Sequence, residues 1–280
     1  MPEEFFDTES GIGATSELSL RVSIATLVRV LFEHPQNKEL MLALERRATL
    51  LEKDGQRLVE VQAQPFGGAI RIQDAKALQS RIGDFHFDSE QSRTEQDFRL
   101  FIRPTAWGLV RDFCLDQWNN RNDEIIEGDP RRELAEEFVE VLEVDLQPAQ
   151  YTCRAVGTVI EDNPYPSDNF YAREFPTVRM YRIFEAHILD RSVATALVKN
   201  SIRCSNDDLR DAAWKDAQNG GNGWANAALT LSLSKIGAFY ETVPPETSNG
   251  PLSFEGSQLD ETVAAVLDHV VVPKYKKSFF

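Results

Sequence analysis

The sequence predicts an α+β fold, with strands and helices mixed along the chain and an α/β segment inserted part-way. Three observations predict it. Runs rich in β-branched residues stand at Leu18–Phe32, Tyr151–Ile160 and Thr177–Leu189, the composition of largely buried strands. Helical spacing follows Asp129-Pro130 and recurs over Ser205–Gln218. Residues 75–129 differ from both flanks, with polar stretches set between Phe85, Phe87, Phe98, Phe101, Trp107, Phe113 and Trp118.

In chain order, residues 1–17 are polar and acidic and read as a flexible arm. Leu18–Phe32 is the first strand, and His34-Pro35-Gln36-Asn37 turns the chain. Glu39–Leu44 is expected as a strand ending before Arg46-Arg47, and Arg57–Gln64 as another, stopped by Pro65-Phe66-Gly67-Gly68. Ala69–Ile72 resumes as an extended piece ending at Asp74. Within the insert, Phe98–Ile102 is strand-like, and a helix after Pro104 gathers Trp107, Val110, Phe113, Cys114 and Trp118 roughly on one side. Asp129 suits an N-cap and Pro130 the first helical position; Leu134, Phe138, Val141 and Leu142 then form the buried stripe. Two strands flank the polar loop Glu161–Pro176. The Ser205–Gln218 helix breaks at Asn219–Gly223. A second apolar helix is expected over Trp224–Tyr240, a linker over Pro244–Gly256 and a last helix over Gln258–Val272.

The chain has 280 residues, 42% hydrophobic and 27% charged, with a net charge of −15. That composition suits a globular fold rather than disorder. The negative charge argues against duplex nucleic acid and against an anionic membrane surface. No apolar run approaches the ~20 residues of a membrane helix. The start lacks the cationic and apolar regions of a leader. Cys114, Cys153 and Cys204 are widely spaced, without the pattern of a zinc site or disulfide scaffold. A cytoplasmic location is expected. The four histidines are scattered, and neither a G-x-S-x-G elbow nor a phosphate-binding P-loop occurs.

Chemistry concentrates in Arg132-Glu133-Leu134-Ala135-Glu136-Glu137. Offsets of three and four bring Glu133, Glu136 and Glu137 together on a helix, where like charges repel. A hard divalent cation would relieve that repulsion; a solvated acidic face beside Arg131 and Arg132 fits the same pattern. Gly67 and Gly68, entered from a strand, allow close backbone approach to a ligand or simply make a turn.

Together these features resemble the Nudix hydrolase family, whose box runs Gly, five residues, Glu, seven residues, then Arg-Glu-aliphatic-x-Glu-Glu-x-Gly-aliphatic. Gly68 and Asp74 align with the first half, and Arg132, Glu133, Leu134, Glu136 and Glu137 with the second. The resemblance spans roughly residues 18–240. Asp74 and Arg132 stand 58 positions apart, where the family has eight, so an insert interrupts the box. Val139 replaces the later Gly, Glu140 the aliphatic residue, and Arg71 stands where an acid is frequent. Glu124 keeps the intact spacing, but Trp118 then replaces the Gly; the Pro-x-Gly-Gly context favours Asp74.

The resemblance implies a mixed sheet sandwiched between helices, made of residues 18–74 and 130–243, with 75–129 as an inserted lid, recognition wall, packed subdomain or dimer contact, and 244–280 as an appendage. It implies metal-dependent hydrolysis of a nucleoside diphosphate linked to another moiety. Mg²⁺ or Mn²⁺ would sit on Glu133, Glu136, Glu137 and Asp74, with Glu133, Glu136 and Glu137 catalytic. Gly67, Gly68, Arg46 and Arg47 would meet the small-molecule substrate, although the two arginines also suit a solvated basic pair. Pairing into a homodimer is common in such proteins. The alternative is a catalytically weakened nucleotide-binding or protein-interaction module on the same fold.

Overall fold

The computed structural model describes residues 18–53, 55–166, 175–242, 252–254 and 256–267. The first strand, β1 (Leu20–Glu33), organises the fold. Along one edge it pairs in parallel with β7 (Pro176–Ile188), from Arg21 opposite Thr177 to Phe32 opposite Ile188. Strand β6 (Tyr151–Pro166) lies antiparallel outside β7. Along the other edge β1 meets three partners in succession. Leu20–Ser23 pairs with β5 (Arg99–Ile102). Ala25 and Val28 bridge to Ala69 and Phe66. Val30–Glu33 pairs with β2 (Leu40–Lys53). Strand β2 is then flanked by β3 (Gln56–Gln64) and β8 (Trp224–Ser232). The short strands β4 (Phe85–Phe87), β9 (Leu252–Phe254) and β10 (Ser257–Leu259) extend the edges, making ten strands in one mixed sheet among the described residues.

Alternation along β1 assigns its faces. Val28, Val30 and Phe32 pack with Leu134, Phe138 and Val141 of α4 (Arg131–Leu142) and with Val193, Ala194 and Leu197 of α5 (Arg191–Arg203). Leu27 and Leu31 point the other way, against α7 (Leu233–Thr242) and α8 (Glu261–Leu267). Arg29 shares that second face; it donates to the Val266 carbonyl at 3.0 Å and pairs with Glu185, which satisfies a cation in an apolar strand. The sheet is thus sandwiched between helices. Helix α6 (Asn206–Gln218) covers Ala48, Val61 and Ala227 with Leu209 and Ala213.

The insert shares this core. Leu20, Val22 and Ile24 of β1 face Leu78 and Ile82 of α1 (Ala75–Ile82), Leu100 and Ile102 of β5, and Val110, Cys114 and Trp118 of α3 (Trp107–Asn120). The one-turn helix α2 (Glu90–Glu95) completes it.

Several expected elements are corrected. Trp224–Tyr240 is strand then helix. Ala228 packs on the α4 face while Leu229 and Leu231 pack on the α7 face, a period of two imposed by pairing with β2; a short apolar run does not disclose which period it will adopt. Strand β2 continues nine residues past Leu44, so Arg46 and Arg47 lie inside it. Helix α5, capped by Asp190, was not anticipated. Leu252–Phe254 forms a strand in the expected linker, and Ser257–Leu259 a strand where the last helix was expected to start. Strand β6 runs on to Pro166, into the expected Glu161–Pro176 loop, and residues 1–17, 167–174, 243–251 and 268–280 lie outside the described residues. No helix among the described residues is long and apolar enough to cross a membrane.

Candidate active site

Helix α4 positions the glutamates. Its apolar stripe is held on the sheet, so Glu133 and Glu137, one turn apart, meet the loop Phe66–Gly68. The Phe66 and Phe138 rings lie 5.2 Å apart and fix loop to helix. The helix starts one position later than expected: Pro130, not Asp129, holds the N-cap position and Arg131 is the first helical residue, while Asp129 accepts from the Arg131 amide at 2.9 Å.

The two glycines are there for want of space. Gly67 has φ +129°, and a Cβ on it would run into the Thr26 carbonyl; a Cβ on Gly68 would run into the Glu133 carboxylate. Their absence lets the Gly67 amide donate to Glu137 Oε2 at 2.5 Å. The Gly68 carbonyl accepts from the Thr26 amide at 2.9 Å.

The insert closes on itself beside these groups. Ile72 bridges to Ile126, and the Glu127 amide donates to the Arg71 carbonyl at 2.8 Å. The chain therefore leaves and re-enters the box at neighbouring points, and Glu127 arrives beside Arg132. Arg132 Nε and Nη2 donate to the two Glu127 oxygens at 2.9 and 2.6 Å, and the Arg71 amide donates to Glu127 at 3.2 Å. Arg132 also pairs with Glu133 at 2.6 Å and Glu136 at 2.8 Å. Burial alone would lower its pKa; the Glu127 hydrogen bonds and the charges of Glu133, Glu127 and Glu136 outweigh burial and raise it.

Behind Glu137 stands Glu45, fully buried on β2. It accepts from Arg47 at 3.0 Å, from Gln64 Nε2 at 2.7 Å and from Asn226 Nδ2 at 3.3 Å. Burial, and next the Glu45 charge, push the Glu137 carboxyl well above the usual carboxylate range; the Gly67 amide and Arg47 oppose this, and Glu133 adds to it. Burial likewise raises Glu133 against the pull of Arg132.

Of the residues proposed from sequence, Glu133, Glu137, Gly67 and Gly68 come together. Glu136 joins through Arg132 and is 57% exposed, and Arg47 joins through Glu45. Arg46 is buried and donates to the Ser201, Cys204 and Ala228 carbonyls and to Asn206, fastening the α5–α6 connection. Burial lowers its pKa. Asp74 caps α1, accepting from the Lys76 and Ala77 amides at 3.0 and 2.9 Å; the acid beside Arg132 is Glu127. Asp74→Ala is expected to cost about 1 kcal/mol, the worth of a cap, read in urea denaturation, with ligand turnover unchanged. Glu127→Gln is expected to lower turnover. The reverse pattern would restore Asp74 as the box acid. Glu127 and Glu45 were both missed. An isolated Glu inside the apolar run LMLALE was the one available signal for Glu45.

Residues 19–223 match the family model described as the SMODS-associated NUDIX domain. The chain belongs to this family. No curated protein and no solved structure matches it. The SMODS-associated NUDIX match begins one residue before β1 and ends one residue before β8. Strand β8, which supplies Asn226 to Glu45, therefore lies outside it.

The donors at the NUDIX glutamate helix are oxygens, the kind that hard divalent cations take. Burial first, and then the Glu45 charge, disfavour a bare carboxylate at Glu137, a penalty that a bound cation would offset. Among the described residues no three Asp, Glu, His or Cys side chains stand as a ready metal group. Arg132 engages Glu133 and Glu136, and the Gly67 amide engages Glu137.

Proposed function

We propose that this chain is a metal-dependent hydrolase of a nucleoside diphosphate linked to another moiety. Nudix domains are generally hydrolases, and membership of the family supports either a hydrolase or a Nudix-fold module. The observation that carries the hydrolase reading is the restored box. Across the long insert the Glu127 carboxylate meets the Arg71 amide, and Glu133 and Glu137 reach Gly68 and Gly67, while Arg132, five residues after Glu127, holds that carboxylate to the same helix.

Glu133, Glu136 and Glu137 would hold Mg²⁺ or Mn²⁺, which when bound would neutralise the diphosphate oxygens and lower the pKa of a coordinated water. Arg132 keeps the carboxylates on one side of α4. Phe66 and Phe138 keep the loop from drifting away from the helix, and the glycines leave room for backbone to approach phosphate. Glu45 maintains a negative field behind Glu137 that favours a cation over a bare anion.

A second reading, a binding module, is favoured by one observation: the glutamate oxygens are already engaged by Arg132 and the Gly67 amide. The two are separated by incubating the full chain with Mg²⁺ or Mn²⁺ and ADP-ribose, NAD(H), sugar nucleotides, dinucleoside polyphosphates and nucleoside triphosphates, with products resolved by chromatography. Metal-dependent cleavage that disappears in Glu136→Gln/Glu137→Gln is the expected result. Thermal stabilisation by nucleotide without product would move the assignment to the module; at a ligand concentration of 100 Kd that stabilisation is about 2.7 kcal/mol.

A further inference from the structure

Past Glu45 the sheet carries a face unlike the rest of its surface. Register pairs Glu45 with Gln64 and Arg47 with Gln62 on β3, and Arg47 with Asn226 and Thr49 with Trp224 on β8. Residues opposite one another on antiparallel strands project to the same side. Glu45, Arg47, Gln62, Gln64, Asn226 and Trp224 therefore share one face, and the contacts agree. Gln64 and Asn226 donate to Glu45, and the Arg47 guanidinium carbon lies 5.2 Å from the centre of the Trp224 ring. The reverse side at the same positions is closed by α6.

This face offers three kinds of chemistry in a row. The amides of Gln62, Gln64 and Asn226 each present both donor and acceptor groups, as the polar edge of a nucleobase does. Trp224 presents an indole that remains 38% exposed with Arg47 beside it, a surface suited to stacking. Arg47 adds a cation to the row, its Nε and Nη2 donating to Glu45, and a guanidinium suits phosphate oxygens. The row ends at Glu45, whose charge acts on Glu137, the carboxylate that accepts from the Gly67 amide. From Glu45 to the Thr49–Trp224 pair is four residues of strand, ~13 Å, a length that an extended nucleotide covers.

We propose that this face receives the base of a nucleotide, its ring stacked on Trp224, its polar edge on the amides and its phosphates directed toward Gly67 and Glu137. The inference rests on the reading of a nucleoside diphosphate as ligand and deepens it by naming where the base is held. It draws on β8, a strand beyond the residues the family model matches.

The test is calorimetric titration of the full chain, in Mg²⁺, with ADP, GDP, CDP, UDP and inorganic pyrophosphate, for the wild type, Trp224→Ala and Trp224→Phe. The expected result is that at least one nucleotide binds and that Trp224→Ala weakens it by about tenfold or more, within the range for losing one base–aromatic stack. Trp224→Phe should recover most of the affinity, and pyrophosphate should bind all three proteins equally. Equal nucleotide affinity in wild type and Trp224→Ala would overturn the inference. So would an equal loss for pyrophosphate, or a wild type that binds no nucleotide. Turnover is followed in parallel. Trp224-dependent binding without cleavage keeps the base site and removes the hydrolase; cleavage with KM unchanged in Trp224→Ala does the opposite.

Discussion

Glu137→Gln is expected to lower kcat by about 10²–10⁴-fold, the range for removing a group that acts on the reacting proton or on developing charge. The fold is expected to persist. The Gln side-chain oxygen can still accept from the Gly67 amide, and the change removes a buried negative charge that faces Glu45 and Glu133. The pH dependence gives the second readout. A carboxyl whose pKa is raised by folding stabilises the native state below its unfolded value, ~4.3, and loses that contribution as pH rises through the folded value. Glu137 is such a group. Gln carries no charge at any of these pH values, so the variant lacks this loss, and its stability relative to wild type should grow from about pH 4–5 upward. Asp97, whose carboxyl burial pushes up to about 6, contributes the same fall to both proteins and cancels. Urea midpoints at pH 5 and pH 8 measure the difference. An unchanged kcat in Glu137→Gln would sink the hydrolase reading.

Arg132→Ala is expected to give the largest loss of stability at the site, about 2–4 kcal/mol. Breaking a buried pair from one side costs about 3–5 kcal/mol because a charge is left without a partner. The side chains of Glu127 and Glu133 are only 12% and 15% exposed, and Arg132 itself is 23% exposed, which discounts the figure modestly. Glu136, at the solvent edge, adds little. The deficit should widen as pH rises, since all the abandoned carboxylates are easier to bury when protonated. Arg132→Lys should fall between the two, because one ammonium cannot span Glu127 and Glu136 as the guanidinium fork does. Chemical denaturation checks both. A loss under ~0.5 kcal/mol, the size of an ordinary surface substitution, would show that Arg132 is not the hub. Turnover should fall with it, since Glu133 and Glu136 lose the group that orients them.

Much of the candidate site was legible before the fold. Arg132, Glu133, Glu136 and Glu137 were found because helical offsets of three and four make their neighbourhood a local property. Gly67 and Gly68 were found because glycines after a strand mark a tight backbone. Asp74 was preferred to Glu124 for its Pro-x-Gly-Gly context, and Glu127 fits neither count along the chain, six positions on from Gly68 or eight back from Arg132. The Ile72–Ile126 bridge removes the insert from that count, and no local pattern announces such a bridge. Arg46 and Arg47 looked equivalent as neighbours. In a strand they face opposite sides, so Arg46 fastens the α5–α6 connection from one side while Arg47 reaches Glu45 and Trp224 on the other.

The sequence by itself determined the mixture of strands and helices and the identity of the glutamate helix, because periodicity, capping and glycine placement act over a few residues. Only the tertiary structure decided that Trp224–Ser232 is a strand. It also decided that Glu127 meets the Arg71 amide across the insert and that Glu45 stands behind Glu137. Each of these depends on a partner tens to hundreds of residues away. Burial, pairing and charge coupling between such partners exist only once β1, β2 and β8 have been brought into one sheet.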